Sequence, residues 1–106
     1  MILEQAVLDV KSGMWDEFEA TFNQAQSIIA HMPGYISHSL SNCIERPGRY
    51  LLLVEWESLE DHTVGFRESP QYQEWRGLLH HFYDPFPEVE HYQVVFEGPD
   101  HEGATI

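Results

Sequence analysis

Residues 56–82 read WESLEDHTVGFRESPQYQEWRGLLHHF. The stretch begins at the end of the apolar run Tyr50–Glu57, YLLLVEWE, and passes through two short helical patterns. Ser58, with Asp61 three residues on, forms a box-like cap that starts a short helix running to about Arg67. Ser69-Pro70 starts the next, because Pro is tolerated at the first helical position. Its apolar stripe is Tyr72, Trp75, Leu79 and Phe82. The stretch carries two Trp, two Phe, one Tyr, three His and two Arg. That mixture suits a pocket for a flat organic molecule, with a few polar groups able to move protons. It equally suits an aromatic core with a polar rim.

The rest of the chain decides the setting. Tyr50–Glu57 is apolar on both faces until Glu55 and reads as a strand. Arg46-Pro47-Gly48-Arg49 before it is a turn, so the preceding strand, Tyr35–Glu45, runs antiparallel to it. That earlier strand has Ile36, Leu40 and Ile44 on one side and Ser37, Ser39, Ser41 and Cys43 on the other. Upstream, Trp15, Phe18, Phe22, Ala25, Ile29 and Met32 follow spacings of three and four and predict one long helix. Pro33-Gly34 ends it. Ile2–Val10 alternates with period two, placing Ile2, Ala6, Leu8 and Val10 on one face. Val89–Phe96 reads as a last strand, after the extended Asp84-Pro85-Phe86-Pro87 connection. The polar residues 98–106 are expected to form a tail outside a single domain of residues 1–97.

The order strand, helix, strand, strand, helix, strand is the ferredoxin-like β-α-β-β-α-β motif, an α+β fold with an antiparallel sheet. Two helices cover one face of such a sheet. The first, third and fourth strands carry apolar residues on both faces, so the second face needs another cover. A second copy of the chain, packed sheet to sheet or closed into a shared barrel, supplies it, and a homodimer is expected.

Composition narrows the function. The chain has 106 residues, 18 acidic against 5 basic, and a formal net charge of -13. Such a surface repels phosphate backbones and anionic lipid, which argues against nucleic-acid and membrane partners. No apolar run is long enough to span a bilayer, and no secretory signal opens the sequence. The single Cys43 excludes an internal disulfide and fits a reducing, cytoplasmic setting. Adjacent helical residues such as His80 and His81 point about 100 degrees apart and cannot easily chelate one ion. No Cys or His motif with metal-ligand spacing occurs, so no metal is expected, and no Gly-rich phosphate loop suggests a nucleotide cofactor.

The element order, the Pro33-Gly34-Tyr35 turn, the passage Trp56-Glu57-Ser58-Leu59-Glu60-Asp61-His62, the run Phe66-Arg67-Glu68-Ser69-Pro70 and Trp75 together make the chain similar to a known family. Over roughly Ile2–Phe96 it resembles the antibiotic biosynthesis monooxygenase superfamily of dimeric α+β barrels. The resemblance implies a cavity between sheet and helices in each subunit. Members include cofactor-free oxygenases of quinols and anthrone-like polycycles, and haem-degrading enzymes. Some polycycle-oxidising members carry Asn, Trp and Tyr, four and then six residues apart; here that spacing holds His62, Phe66 and Tyr72. The haem-degrading branch uses an Asn, a Trp and a ligand His where this chain has Gln5 or Ala6, Phe66 and Arg76. None matches, so haem is not expected, and no cofactor is.

Candidate catalytic residues are His62, Tyr72 and His91. An imidazole near neutrality takes a proton from a phenol, and a phenolic hydroxyl donates to a ring oxygen. His91 falls on the opposite strand face from Tyr92, Val94 and Phe96, either in a pocket or as a hydrogen-bonded packing residue. Trp56, Phe66, Trp75, Arg76 and Leu79 are the candidate substrate-binding residues. Trp75 would stack on a ring or simply pack. Arg67 and Arg76 would pair with a substrate carboxylate or enolate, or with an acidic side chain of the protein. The expected function is that of a cofactor-independent monooxygenase-like enzyme on a small aromatic or polycyclic, quinol- or anthrone-like substrate. It would work by proton abstraction and direct reaction with dioxygen. The alternative is a non-catalytic dimeric small-molecule-binding or accessory domain.

Overall fold

Four strands follow the sequence alternations: β1 (Ile2–Asp9), β2 (Tyr35–Asn42), β3 (Arg49–Trp56) and β4 (Val89–Tyr92). They form one sheet in the order β2-β3-β1-β4, antiparallel at every pairing. Helices α1 (Trp15–Ala30) and α2 (Pro70–Leu79) complete the β-α-β-β-α-β order expected from the sequence. The structure is a computed structural model and describes residues 1–99.

The period-two reading of β1 and β3 sorts their residues into two layers. Ala6 and Leu8 of β1 and Tyr50, Leu52, Val54 and Trp56 of β3 are buried under the helices. Phe18, Phe22, Ala25 and Ile29 of α1 and Trp75 and Leu79 of α2 close over them. Each turn of α1 therefore puts one or two apolar side chains into the sheet, at a gain of roughly 1.5–3 kcal/mol for each large side chain fully buried. The opposite face stays open. Val7 is 37 % exposed there, and Leu3, Leu51 and Leu53 are half-buried.

Three boundaries differ from the sequence expectation. The last strand stops at Tyr92 rather than Phe96. Its register pairs Leu3 with Tyr92, and the pairing with β1 is not carried beyond that point. The β2 strand ends at Asn42, leaving Ile44 almost fully exposed, and a register shift between Tyr35 and Ser37 turns Ile36 partly outward. The short helix after β3 is a π-helical turn, Asp61–Phe66. Gly98 and Pro99 are exposed, and the remainder of the expected tail, 100–106, lies outside the described residues.

Candidate functional site

The site is built where β1, β3 and β4 meet the π-helical turn. The turn begins with reciprocal capping: the Asp61 amide donates to Ser58 Oγ (3.3 Å), and the Ser58 amide donates to Asp61 Oδ2 (3.2 Å). The Arg67 amide then bonds back five residues to the His62 carbonyl (3.0 Å), the widened turn that often marks functional sites. His62 and Phe66 face inward and are buried. The His62 ring stacks on Trp56, with centroids 5.5 Å apart and planes at 24°.

Below His62 lies Glu4, which the sequence reading did not single out. It occupies a β1 position on the same face as Ala6 and Leu8, directly opposite Val54 of β3 and His91 of β4. Only 5 % of it is exposed. The Trp56 indole donates to Glu4 Oε1 (2.9 Å), and His62 Nε2 stands 3.4 Å from the same oxygen. His62 Nδ1 is 2.8 Å from His91 Nε2. A continuous polar chain thus runs Trp56–Glu4–His62–His91, from the sheet interior to the half-buried His91. Glu4 Oε2 has no hydrogen-bond partner among the described residues and is not sealed from solvent.

Burial controls the charges of this chain. Desolvation pushes the Glu4 carboxyl above the usual carboxylate range, against the Trp56 hydrogen bond and the Arg67 charge, which pull it down. Desolvation also lowers His62 to about 3, with help from Arg67 and His91. His91 is lowered too, first by desolvation and then by Arg67. Both imidazoles are therefore neutral near pH 7, and the 3.4 Å approach of His62 to Glu4 is a close polar contact rather than an ion pair.

A cavity of about 330 Å³ opens beside this chain, within the range of ligand pockets. Glu4, His62, Arg67, Tyr72 and His80 supply its polar groups. Phe66, Trp75, Tyr83 and Phe86 supply aromatic wall. The α2 helix delivers Tyr72 and Trp75 because its cap is made: the Tyr72 amide donates to Ser69 Oγ (3.1 Å). A more open groove of about 410 Å³ lies between α1 and β2. Several of its polar groups are already bonded, His38 to Gln26 and to Tyr35 beside the groove, and Tyr50 to Glu19, so it offers less reactive chemistry.

Of the candidate residues, His62, Phe66, Tyr72 and Trp75 line the cavity. His91 and Trp56 stand one bond behind it, on His62 and Glu4. Leu79 is in the buried core and Arg76 is exposed, and neither lines the cavity. Glu4, His80, Tyr83 and Phe86 were not foreseen. For Glu4 the signal was present, since position 4 falls on the apolar face of an alternating strand and holds a carboxylic acid. Among the described residues, no group of three or more acidic, His or Cys side chains could hold a metal ion.

Known proteins share this arrangement of elements. The chain is 61% identical to the protein YczJ of Bacillus subtilis (strain 168) over 95 residues, covering 90% of this chain and all of that protein. A crystal structure of a Bordetella bronchiseptica protein assigned to antibiotic biosynthesis monooxygenases superimposes with a TM-score of 0.85 at 38% identity, covering 90% of this chain and 97% of that one. SnoaB, a cofactor-independent oxygenase from Streptomyces nogalater, has the same fold, with a TM-score of 0.78 at 19% identity over 93% of this chain and 97% of its own. The profile of one family, antibiotic biosynthesis monooxygenase, matches residues 1–78, which include Glu4, Trp56, His62, Phe66, Tyr72 and Trp75. With β1, β3, the capped turn and nearly all of α2, which carry those side chains, inside the matched span, the chain belongs to the antibiotic biosynthesis monooxygenase family.

Proposed function

We propose that the chain is a cofactor-independent oxygenase that oxidises a small aromatic or polycyclic substrate of the quinol or anthrone kind. The observation that carries this reading is the buried Glu4 carboxyl, which borders the cavity and is linked through His62 to His91. Glu4 Oε2 takes a proton from a phenolic O–H or an activated C–H of the substrate. The raised proton affinity of a desolvated carboxylate suits it to that step better than an exposed one.

Two proton arrangements are open to the chain, with His62 and His91 at 2.8 Å and the 3.4 Å gap between Glu4 and His62 shortening to a hydrogen bond. In one, protonated Glu4 donates to His62 Nε2 while His62 Nδ1–H donates to His91. In the other, His62 Nε2–H donates to the Glu4 carboxylate, and His91 Nε2–H donates to His62 Nδ1. They differ by one proton moved from Glu4 to His91, so the chain returns the abstracted proton towards solvent. The substrate anion then reacts with dioxygen directly. For a ring methylene, the methylene and one dioxygen molecule give a ring carbonyl and one water molecule. The carbon loses both hydrogens and is oxidised; one oxygen atom enters the product and the other leaves, with those two hydrogens, as water. Tyr72, whose hydroxyl has no bonded partner among the described residues, donates to the ring oxygen. Phe66 and Trp75 hold the ring and exclude water.

The same reading assigns the open sheet face to a second copy of the chain and the protein to the cytoplasm. Among the described residues no helix is long and apolar enough to cross a membrane. One observation favours the alternative of a non-catalytic binding domain. Phe66 lines the cavity where polycycle-oxidising members have a Trp, which removes an indole donor from the substrate's reach. Oxygen uptake with a panel of anthrones and quinols decides between them. Turnover that falls by roughly 10²–10⁴-fold in Glu4→Gln supports the oxygenase. Tight binding of the same compounds with no oxygen uptake overturns it in favour of the binding domain.

A further inference from the structure

Arg67 is the one Lys or Arg side chain that lines the cavity. It follows directly on the π-helical turn, and its amide is bonded to the His62 carbonyl, so the backbone fixes where it leaves the helix. Its guanidinium makes no ion pair or side-chain hydrogen bond with any described residue. Arg49, by contrast, is held by both oxygens of Asp9, at 2.8 and 3.1 Å. The Arg67 charge is nonetheless felt inside the site, where it lowers the proton affinity of Glu4, His62 and His91.

We infer that the cavity takes an aromatic substrate bearing a carboxylate, with the Arg67 guanidinium as the group that receives it while the ring lies among Phe66, Trp75 and Tyr83. This deepens the reading of the site given above and names its substrate class. The whole-protein charge of -13 opposes an anionic ligand, so such a ligand needs a local cation, and Arg67 is the one at the cavity. Its planar fork matches a carboxylate with two parallel N–H···O bonds. Arg67 and Glu4 line the same cavity, and the Arg67 charge reaches Glu4 and His62, so a carboxylate held by Arg67 keeps the ring beside the polar chain.

The test compares anthraquinone-2-carboxylate with anthraquinone-2-carboxamide, two probes of nearly equal shape, by quenching of tryptophan fluorescence at pH 7. The wild-type chain should bind the carboxylate about tenfold or more tightly than the amide, the range of a hydrogen bond to a charged group. Arg67→Gln should abolish that preference, Arg67→Lys should keep part of it, and Arg76→Gln should leave it intact. Equal binding of the two probes by wild type, no binding of either, or a preference that survives in Arg67→Gln would each overturn the inference. Oxygen uptake is a separate readout. A carboxylate preference with no turnover keeps Arg67 and rejects the oxygenase; turnover with no preference does the reverse.

Discussion

Glu4 and His91 lie directly opposite each other in the β1–β4 ladder, and His62 bridges them from the helical layer, with Nε2 3.4 Å from the carboxylate and Nδ1 2.8 Å from the second imidazole. The sheet thus sets two members of the chain and the π-helical turn sets the third. Their alignment depends on helix-to-sheet packing, with Trp56 serving both as the donor to Glu4 and as the surface on which His62 stacks. Such a support is stiffer than a loop, as the proposed proton relay requires.

The raised proton affinity of Glu4 has a consequence for stability. A carboxyl whose folded-state pKa lies above its unfolded value stabilises the fold fully below the unfolded pKa, near 4.5. That contribution is lost as pH rises towards the folded value. Glu4→Gln keeps an oxygen for the Trp56 indole but cannot ionise. Thermal melts from pH 4 to pH 8 should show the variant gaining on wild type as pH rises above about 4.5, and levelling off once the folded value is passed. Parallel curves would mean that Glu4 is not desolvated.

His62 gives the opposite slope. Its folded-state pKa is lowered from 6.5 to about 3, so the stability of the neutral buried ring is present above pH 6.5 and lost as pH falls towards 3. His62→Phe keeps a ring against Trp56 but removes the titration. It should lose less stability than wild type between pH 6.5 and 4, and under the proposed function its oxygen uptake should drop because the proposed relay is cut. A His62 ring found protonated by NMR at pH 5 would contradict this.

Much of this architecture was legible in the sequence. The alternation of β1 and β3, the three-and-four spacing of α1 and the cap residues Ser58 and Ser69 are local signals, and each element formed where they pointed. The end of β4 was not legible, because Gln93–Phe96 look like strand but do not extend the pairing with β1 past Leu3 and Tyr92, a matter of register between distant segments. The π-helical turn was read as an ordinary short helix, since one extra residue in a single turn barely changes the apolar spacing. His62, Phe66, Tyr72 and Trp75 were found because they are close in sequence. Glu4 is 58 residues from His62 (62 − 4) and becomes its partner only through the β1–β3–β4 pairing. A carboxylate on an otherwise apolar strand face was the available clue.

Gly34 tests how the turn is held. It has φ of 82°, and a Cβ there would overlap the Asp61 carboxylate that caps the π-helical turn. Gly13 has nearly the same φ, 83°, but open space around it. Gly13→Ala should therefore cost about 1–2 kcal/mol, the penalty of the left-handed backbone alone. Gly34→Ala should cost more in urea melts and should also shift the His62 imidazole resonances. Equal costs for the two would show that Asp61 moves aside without consequence.

The uncovered sheet face leads to the last prediction. Val7 and Leu51 are direct cross-strand partners near the middle of the outer face, with Leu3 and Leu53 beside them. No element of the described chain covers them, although β1 and β3 are central strands and the other face of each is buried under the helices. A face of this kind is stable when another sheet packs on it, and the cheapest such sheet is a second copy. Light scattering should give the mass of a dimer at micromolar concentration. Leu51→Glu would place a carboxylate in that interface without a partner and should yield a monomer that keeps its circular dichroism spectrum. Val64→Glu, on the exposed side of the π-helical turn, adds the same charge away from the sheet and should remain dimeric. A wild-type monomer, or a Leu51→Glu variant that still dimerises, would show that the outer face is not where the copies meet.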